Sequence, residues 1–280
     1  MSILDRVQTA ADQLTPAEKR LVHAIVAKPR EVALGTAADL ARRSGVHEAT
    51  VSRLARKLGF ESYSGFRNAV RDEFIVRTDP AVRVRNTLRT SRDGEILGDL
   101  ISREVEALVA IPDYIEPARL KAAARALASA RKIFVFATGN AETLATMMSR
   151  RLRRLALECD FLRGDGRDLA EQSVSMRKGD VLLAFAFRRQ PRMYAPLLDR
   201  ARAVGARSIV VAGSIGPSLS PTADHLLSAP RSGDADSFQT LTVPMVVCNA
   251  LVLATMQIDE ARALKRLEEL GELIEQFEGR

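Results

Sequence analysis

The sequence predicts two folds in series: an all-helical N-terminal domain built around a helix-turn-helix, then a five-stranded parallel-sheet α/β sandwich. Three observations carry this. Residues 37–58, AADLARRSGVHEATVSRLARKL, read as two short helices joined by a tight turn at Gly45. From Arg131 onward, near-continuous apolar runs alternate with helical stretches, the pattern of strands buried on both faces. The charge divides at the same place. Residues 1–92 hold 17 Lys and Arg against 10 Asp and Glu, while residues 93–280 hold 25 of each, so the whole excess of +7 lies in the first segment.

The elements follow in order. Thr15 as N-cap, Pro16 at the first helical position and Glu18 at the third form a capping box, opening a helix that runs through Leu21, Ile25 and Val26 and stops near Pro29. Helices near 36–43 and 47–58 make the helix-turn-helix, and another runs from about Tyr63 to Arg77. Residues 79–95, DPAVRVRNTLRTSRDGE, are basic and weakly periodic and read as a linker between domains at 1–78 and 96–280. Helices at 96–111 and 117–130 lead into the second domain. Its strands are expected at 132–138, 159–163, 180–188, 207–213 and 224–229, with helices at 141–157, 168–176 and 191–204 between the first four and at 237–256 and 259–277 to finish. Such sheets bind ligands in loops at the carboxyl ends of strands, where strand order reverses.

In the helix-turn-helix, Leu40 and Ala41 face inward, and the small Ala41 lets the helices cross closely. Gly45 takes the left-handed turn, where a Cβ-bearing residue is strained, and Val46 fills the corner. Val51 and Leu54 form the apolar stripe of the second helix. The outward face is left with His47, Glu48, Thr50, Ser52, Arg53, Arg56 and Lys57. Of these, His47, Glu48, Thr50, Ser52, Arg53 and Arg56 are the candidate contacts to a double-stranded DNA operator. The same motif also serves as plain packing or as a protein-binding module. Confinement of the basic excess to this segment favours DNA, whose phosphates it would neutralise. An RNA-binding platform is disfavoured: Trp is absent and the three tyrosines are scattered.

Apolar residues at 46% and charged residues at 28% suit a soluble globular chain. The N-terminal MSILDRVQTA has no apolar run fit for a signal peptide, and the apolar stretch 242–256 is too short for a membrane span. Cys159 and Cys248 are far apart in apolar surroundings, which suits reduced, buried thiols in the cytoplasm. Three scattered histidines and two cysteines give no metal-ligand spacing, so neither a metal nor another cofactor is expected.

With LTPAEKRLVHAI and ATVSRLARKLGFESYSGFR ahead of a five-stranded α/β domain, the chain resembles the RpiR family of bacterial transcription regulators from about Leu14 to Met256. Further markers are Phe136–Asn140 after the first strand, Asp180–Phe187, Ala206-Arg207 and Ala223-Asp224. The resemblance implies a C-terminal sugar-isomerase (SIS) domain that binds phosphosugars or related anionic metabolites, and assembly into homodimers or homotetramers. The pocket departs from the family pattern. The usual small-x-Gly-x-Ser is Ala137-Thr138-Gly139-Asn140-Ala141 here, and the hydroxyl-rich loop after the third strand is replaced by Ala186-Phe187-Arg188-Arg189-Gln190-Pro191. Two guanidinium groups stand where hydroxyls would hold a phosphate, so an anionic ligand is retained while a standard phosphosugar cradle is not.

The candidate effector residues are therefore Thr138, Gly139, Asn140, Arg188 and Arg189, with Ser214 and Ser237 beside them. Each has a plainer use: Asn140 as an N-cap, the serines as turn or capping hydroxyls, the arginines as a surface or subunit contact. Arg150, Arg151, Arg153 and Arg154 wind round one helix as a solvated or subunit-facing surface. An alternative function is a sugar-phosphate isomerase with an accessory helical domain. That chemistry needs a positioned acid and base, and only Glu142 and Glu171 fall near the loops, with His225 on the fifth strand. Glu142 also suits the start of its helix. The sequence thus favours a non-catalytic, metabolite-sensing regulator.

Overall fold

The computed structural model describes residues 3–10, 13–74, 80–91, 95–233 and 237–279. The chain forms two compact units, one of Met1–Arg103 with Gly233–Gln239, the other of Glu104–Ser232 with Thr240–Arg280.

The first unit is helical: α1 (Ile3–Ala10), α2 (Pro16–Ala27), α3 (Pro29–Leu34), α4 (Ala37–Ser44), α5 (Glu48–Lys57), α6 (Tyr63–Phe74) and α7 (Pro80–Thr90). The capping box at α2 is formed, with Thr15 and Glu18 bonding each other's backbone N–H, and Thr36 and Asp39 repeat the device at α4. Leu21, Ile25, Leu40, Val51, Leu54, Leu58, Phe66 and Val70 are buried together as the core. The sequence reading had no helix at α1 or α3. Arg6 of α1 donates to the Leu58 carbonyl at 2.9 Å and stacks on the Phe60 ring at 4.7 Å, so tertiary contacts support a helix too short to be stable alone. The segment 79–95, expected as a linker between domains, is helical over Pro80–Thr90, while residues 79 and 92–94 lie outside the described residues. Residues 75–77 of the expected fourth helix also lie outside them.

Unit division falls within α8 (Ile96–Val109). The second unit continues with α9 (Ile111–Tyr114), α10 (Pro117–Ala128), β1 (Ile133–Phe136), α11 (Glu142–Arg154), β2 (Cys159–Leu162), α12 (Gly166–Ser173), β3 (Val181–Ala186), α13 (Tyr194–Val204), β4 (Arg207–Ala212), β5 (His225–Ser228), α14 (Thr242–Ile258) and α15 (Glu260–Glu278). All five strands are parallel in the order β2-β1-β3-β4-β5. Every residue of β1 and β3 is buried, as their unbroken apolar runs require. Ile133, Val135, Val181, Leu183, Phe185, Ile209 and Val211 pack with α10, α11 and α14 on one face. The alternate residues turn to the other face, where α13 lies along β3 and β4.

Two carboxylates, the buried Asp180 and the exposed Asp224, fix the amino-terminal ends of the strands. The Asp180 carboxylate accepts from Arg131 Nη2 and the Arg177 N–H, both at 2.8 Å, joining the approaches to β1 and β3. Asp224 accepts from the N–H and hydroxyl of Ser208 at 2.7 and 2.8 Å, joining β4 to the approach to β5. Burial pushes the thiols of Cys159 and Cys248 up to about 12, so both are packing groups. Among the described residues no single helix is long and apolar enough to cross a membrane.

Candidate functional site

The outward face of α5 is built by the groups that fix its two ends. Gly45 ends α4 at φ +61° with open space around its Cβ position, so its requirement is torsional, and Val46 N–H returns to the Ala41 carbonyl at 3.0 Å. His47 then caps α5, its Nδ1 accepting from the Ala49 N–H. His47, Glu48, Arg53 and Arg56 are exposed and Ser52 is half-buried. They recur at helical spacing on one side.

Two members of the expected face are placed differently. Thr50 is only 9% exposed: it lies four residues before Leu54, on the stripe that packs inward. Its hydroxyl accepts from Arg53 Nη2 at 3.3 Å, so it orients that guanidinium from behind. Lys57 is held by Glu18 at 2.9 Å and by the Gln13 carbonyl. Burial works to raise the Glu18 pKa, but the Thr15 backbone N–H and Lys57 outweigh it and hold the carboxyl below its ordinary value. The long-range pair between α2 and α5 has no local sequence signal.

In the second unit, strand order reverses between β1 and β3, and the loops leaving these two strands are adjacent at the carboxyl edge. After β1, Thr138, Gly139 and Asn140 are exposed, and Gly139–Ala141 form one 3-10 turn into α11. Gly139 sits at φ +58° with nothing near its Cβ position. Asn140 is not an N-cap: no side chain caps either the turn or α11. The Glu142 N–H, the first of this 13-residue helix, closes the 3-10 turn on the Gly139 and Asn140 carbonyls, and no side chain caps the N–H groups that follow it.

After β3, Arg188 and Arg189 are exposed, and Gln190 anchors the loop by two bonds to the Ser220 backbone at 2.8 and 2.9 Å. The β4 loop lies directly against it. A Cβ on Gly213 would come 2.6 Å from the Phe187 carbonyl oxygen, so only glycine permits this approach, and the exposed Ser214 follows. Gln190 and Gly213, which shape the loop pair, were missed; the glycine closing the β4 run was their one visible signal.

Ser237 is a buried residue of the first unit, and the helix expected to open there begins at Thr242. Glu142 is exposed at the first position of α11, where a carboxylate suits the helix end. Glu171 is an exposed side chain of α12 paired with Arg167 at 3.1 Å. His225 stands on β5, three strands from β1, or about 14 Å across the sheet. Its pKa is lowered, by burial first, with nearby Asp224 opposing. Arg150, Arg151, Arg153 and Arg154 are exposed along the last turns of α11.

A capped helix-turn-helix with one basic face, followed by a parallel sheet with open loops at its switch point, defines a two-part class. The helix-turn-helix domain of the rpiR family matches residues 1–76 and the SIS domain matches residues 126–254. The chain thus joins an rpiR-type helix-turn-helix domain to an SIS domain. It is 25% identical over 224 residues to the bifunctional protein glk of Paraburkholderia xenovorans (strain LB400) and to that of Burkholderia thailandensis. The match takes in 77% of this chain but only 33% of those proteins. Among solved structures, the sugar isomerase domain of the RpiR transcription factor from Sphaerobacter thermophilus is similar at TM-score 0.58 and 21% identity, over 64% of this chain and 99% of that one. The Vibrio vulnificus NanR protein complexed with ManNAc-6P is similar at TM-score 0.58 and 18% identity, over 99% of both chains. At these identities the likeness is one of fold.

Proposed function

We propose that this chain is a DNA-binding transcription regulator whose SIS domain senses a small anionic metabolite, a sugar phosphate or related carbohydrate derivative. The observation that carries the reading is the uncapped start of α11 beside the arginine-bearing loop after β3, at the strand-order reversal. Backbone N–H groups and two guanidinium groups there favour an anion, and both can bind it bidentately. In the other unit, His47, Glu48, Ser52, Arg53 and Arg56 would meet DNA, with Thr50 steadying Arg53 from within. Thr138, Gly139, Asn140, Arg188, Arg189 and Ser214 would hold the effector.

The NanR protein was solved with a sugar phosphate, which supports ligands of that class for the same fold. Catalysis is not part of the proposal. Among the described residues Glu171 is turned to its own salt bridge and His225 is strands away, which leaves Glu142 as the carboxylate beside the loops without an acid–base partner from these two. The regulator would work in the cytoplasm as a homodimer or homotetramer, reading operator half-sites with paired heads. Candidate subunit faces are α14, which exposes Val246 and Leu253, and the arginine-rich end of α11.

The test is a thermal-shift screen of the full chain against small sugar phosphates and carboxylated sugars. A ligand that binds the folded state at 100 times its Kd stabilises it by about 2.7 kcal/mol, readily seen as a raised Tm. The expected result is a shift with an anionic sugar and none with its neutral parent. Equal response to both would remove the anion-site reading.

A further inference from the structure

Neither the DNA-reading face nor the effector loops account for Glu104, a buried charge on α8 that is 8% exposed. The chain passes between its two units at three places, after Arg103, after Ser232 and after Gln239. The second-unit residues at these passages are Glu104, Ser232 and Thr240, and they are bonded together. Glu104 Oε1 accepts from the Ser232 hydroxyl and from the Thr240 hydroxyl, the latter at 2.6 Å. Thr240 in turn accepts from the Thr242 N–H at 3.1 Å, at the start of α14. The other carboxylate oxygen, Oε2, is sealed from solvent and takes no hydrogen bond among the described residues. A carboxylate serving only as cement would have both oxygens satisfied, because a bare buried charge is costly. Two charge-assisted bonds thus oppose the burial of an unsatisfied oxygen, which sets the closed arrangement close to balance with an open, hydrated one.

Both neighbours of this carboxylate lead to places already described. Ser232 lies past the end of β5, at the carboxyl edge of the sheet. Its neighbour Arg231 holds its guanidinium over the Phe187 ring at 5.5 Å, and Phe187 opens the loop that carries Arg188 and Arg189. Ahead of Thr240, Phe238 belongs to the first unit, where its N–H donates to the Thr87 hydroxyl of α7 at 2.7 Å. We infer that Glu104 is the clasp through which anion binding at the loops is felt in the helix-turn-helix unit. An anion drawn to Arg188 and Arg189 shifts the loop that begins at Phe187, and Arg231 follows the ring. Ser232 is then pulled from Glu104, the carboxylate hydrates, and the hold on Thr240 and Phe238 loosens. Closed and open settings of one carboxylate supply the two discrete states that a ligand can bias. The inference rests on the proposed anion site and names what that site acts through.

The test uses the full chain, with inorganic phosphate as the probe and potassium chloride at matched ionic strength as the control. Amide hydrogen exchange is read at residues 137–141 and 187–190 and at Phe238, on the wild type, Glu104→Leu and Ser232→Ala. Leucine fills the volume and removes the charge together with both bonds, a change that buried sites tolerate. Ser232→Ala cuts one bond only, and carries the same test should Glu104→Leu fail to fold. Phosphate is expected to protect the two loops in all three proteins. In the wild type it should also raise the Phe238 exchange rate by at least about fivefold, the low end of ordinary coupling between sites. In both variants Phe238 should exchange fast already and be unmoved by phosphate. A Phe238 that responds in either variant as in the wild type, or that ignores phosphate in the wild type, would overturn the clasp and leave the anion site standing. Loop protection lost in the variants alone would make Glu104 a support of the loops and would also overturn the clasp. Loops unprotected in the wild type would overturn the anion site and the clasp together.

Discussion

Glu18→Gln is a near-isosteric change that tests how α5 is held. The carboxylate is buried, and its Oε2 accepts from the Thr15 N–H at 2.8 Å, the Thr15 hydroxyl at 3.0 Å and Lys57 Nζ at 2.9 Å. Glutamine keeps the shape and one acceptor but loses the charge. Hydrogen bonds to charged groups contribute about 1.5–3 kcal/mol against about 1 for neutral ones, so the substitution should cost roughly 1–2 kcal/mol. That is a factor of roughly 5–30 in the opening equilibrium. Amide hydrogen exchange on the full chain should show α2 and α5 opening faster by that factor at pH 7, with β1 and β3 unchanged. The sign of the pH dependence follows from the lowered pKa. The native state takes up the Glu18 proton less readily than the unfolded chain, so the contribution is complete above the ordinary value of 4.5 and is lost as pH falls through the lower native value. The gap between wild type and Glu18→Gln should therefore close in acid. A gap of equal size at pH 7 and at pH 3, or none at pH 7, would refute the reasoning.

Other expectations concern the reading face, the turn and the loop pair. Arg53→Ala should weaken specific operator binding by roughly 1–3 kcal/mol if the guanidinium pairs with a guanine, while Thr50→Val, which only releases Arg53 from behind, should cost less; a gel-shift titration at fixed salt that ranks them the other way contradicts the placement of Thr50. Gly45→Ala should destabilise the first unit by about 1–2 kcal/mol through its backbone torsion alone, since nothing crowds the site, and an unchanged exchange rate in α4 and α5 would rule that out. Gly213→Ala should displace the loop after β3, because its Cβ would meet backbone, and should weaken ligand-induced thermal stabilisation while operator affinity without ligand is kept.

The parts of this protein that declare themselves in sequence are those specified over short range. The Thr15–Glu18 box, the left-handed Gly45 and the apolar runs of β1, β3 and β4 each depend on residues within a few positions. Thr50 was misplaced because a polar residue early in a helix reads as outward, although its spacing to Leu54 and Leu58 puts it on the buried stripe. The helix over Pro80–Thr90 is obscured by its arginines, which break the apolar periodicity without opposing helix. Pairs such as Lys57 with Glu18 and Gln190 with Ser220 span 39 and 30 residues, and no local pattern announces them. In the ligand loops the residue types were legible, but the role of Asn140 was not: whether it caps α11 depends on a rotamer and on a 3-10 turn.

The most direct measurement is an operator gel-shift titration at fixed salt, with and without the sugar phosphate selected by thermal shift, on the wild type and on Arg188→Ala/Arg189→Ala. For the ligand to act as a switch it must favour one DNA-binding arrangement over another, typically by 1–3 kcal/mol. Wild-type operator affinity should therefore change by roughly 5- to 150-fold on ligand addition. The double variant should bind operator as the wild type does without ligand and show no change with it. A double variant that still responds at the same ligand concentration would place the effector site elsewhere and leave the two arginines as surface groups.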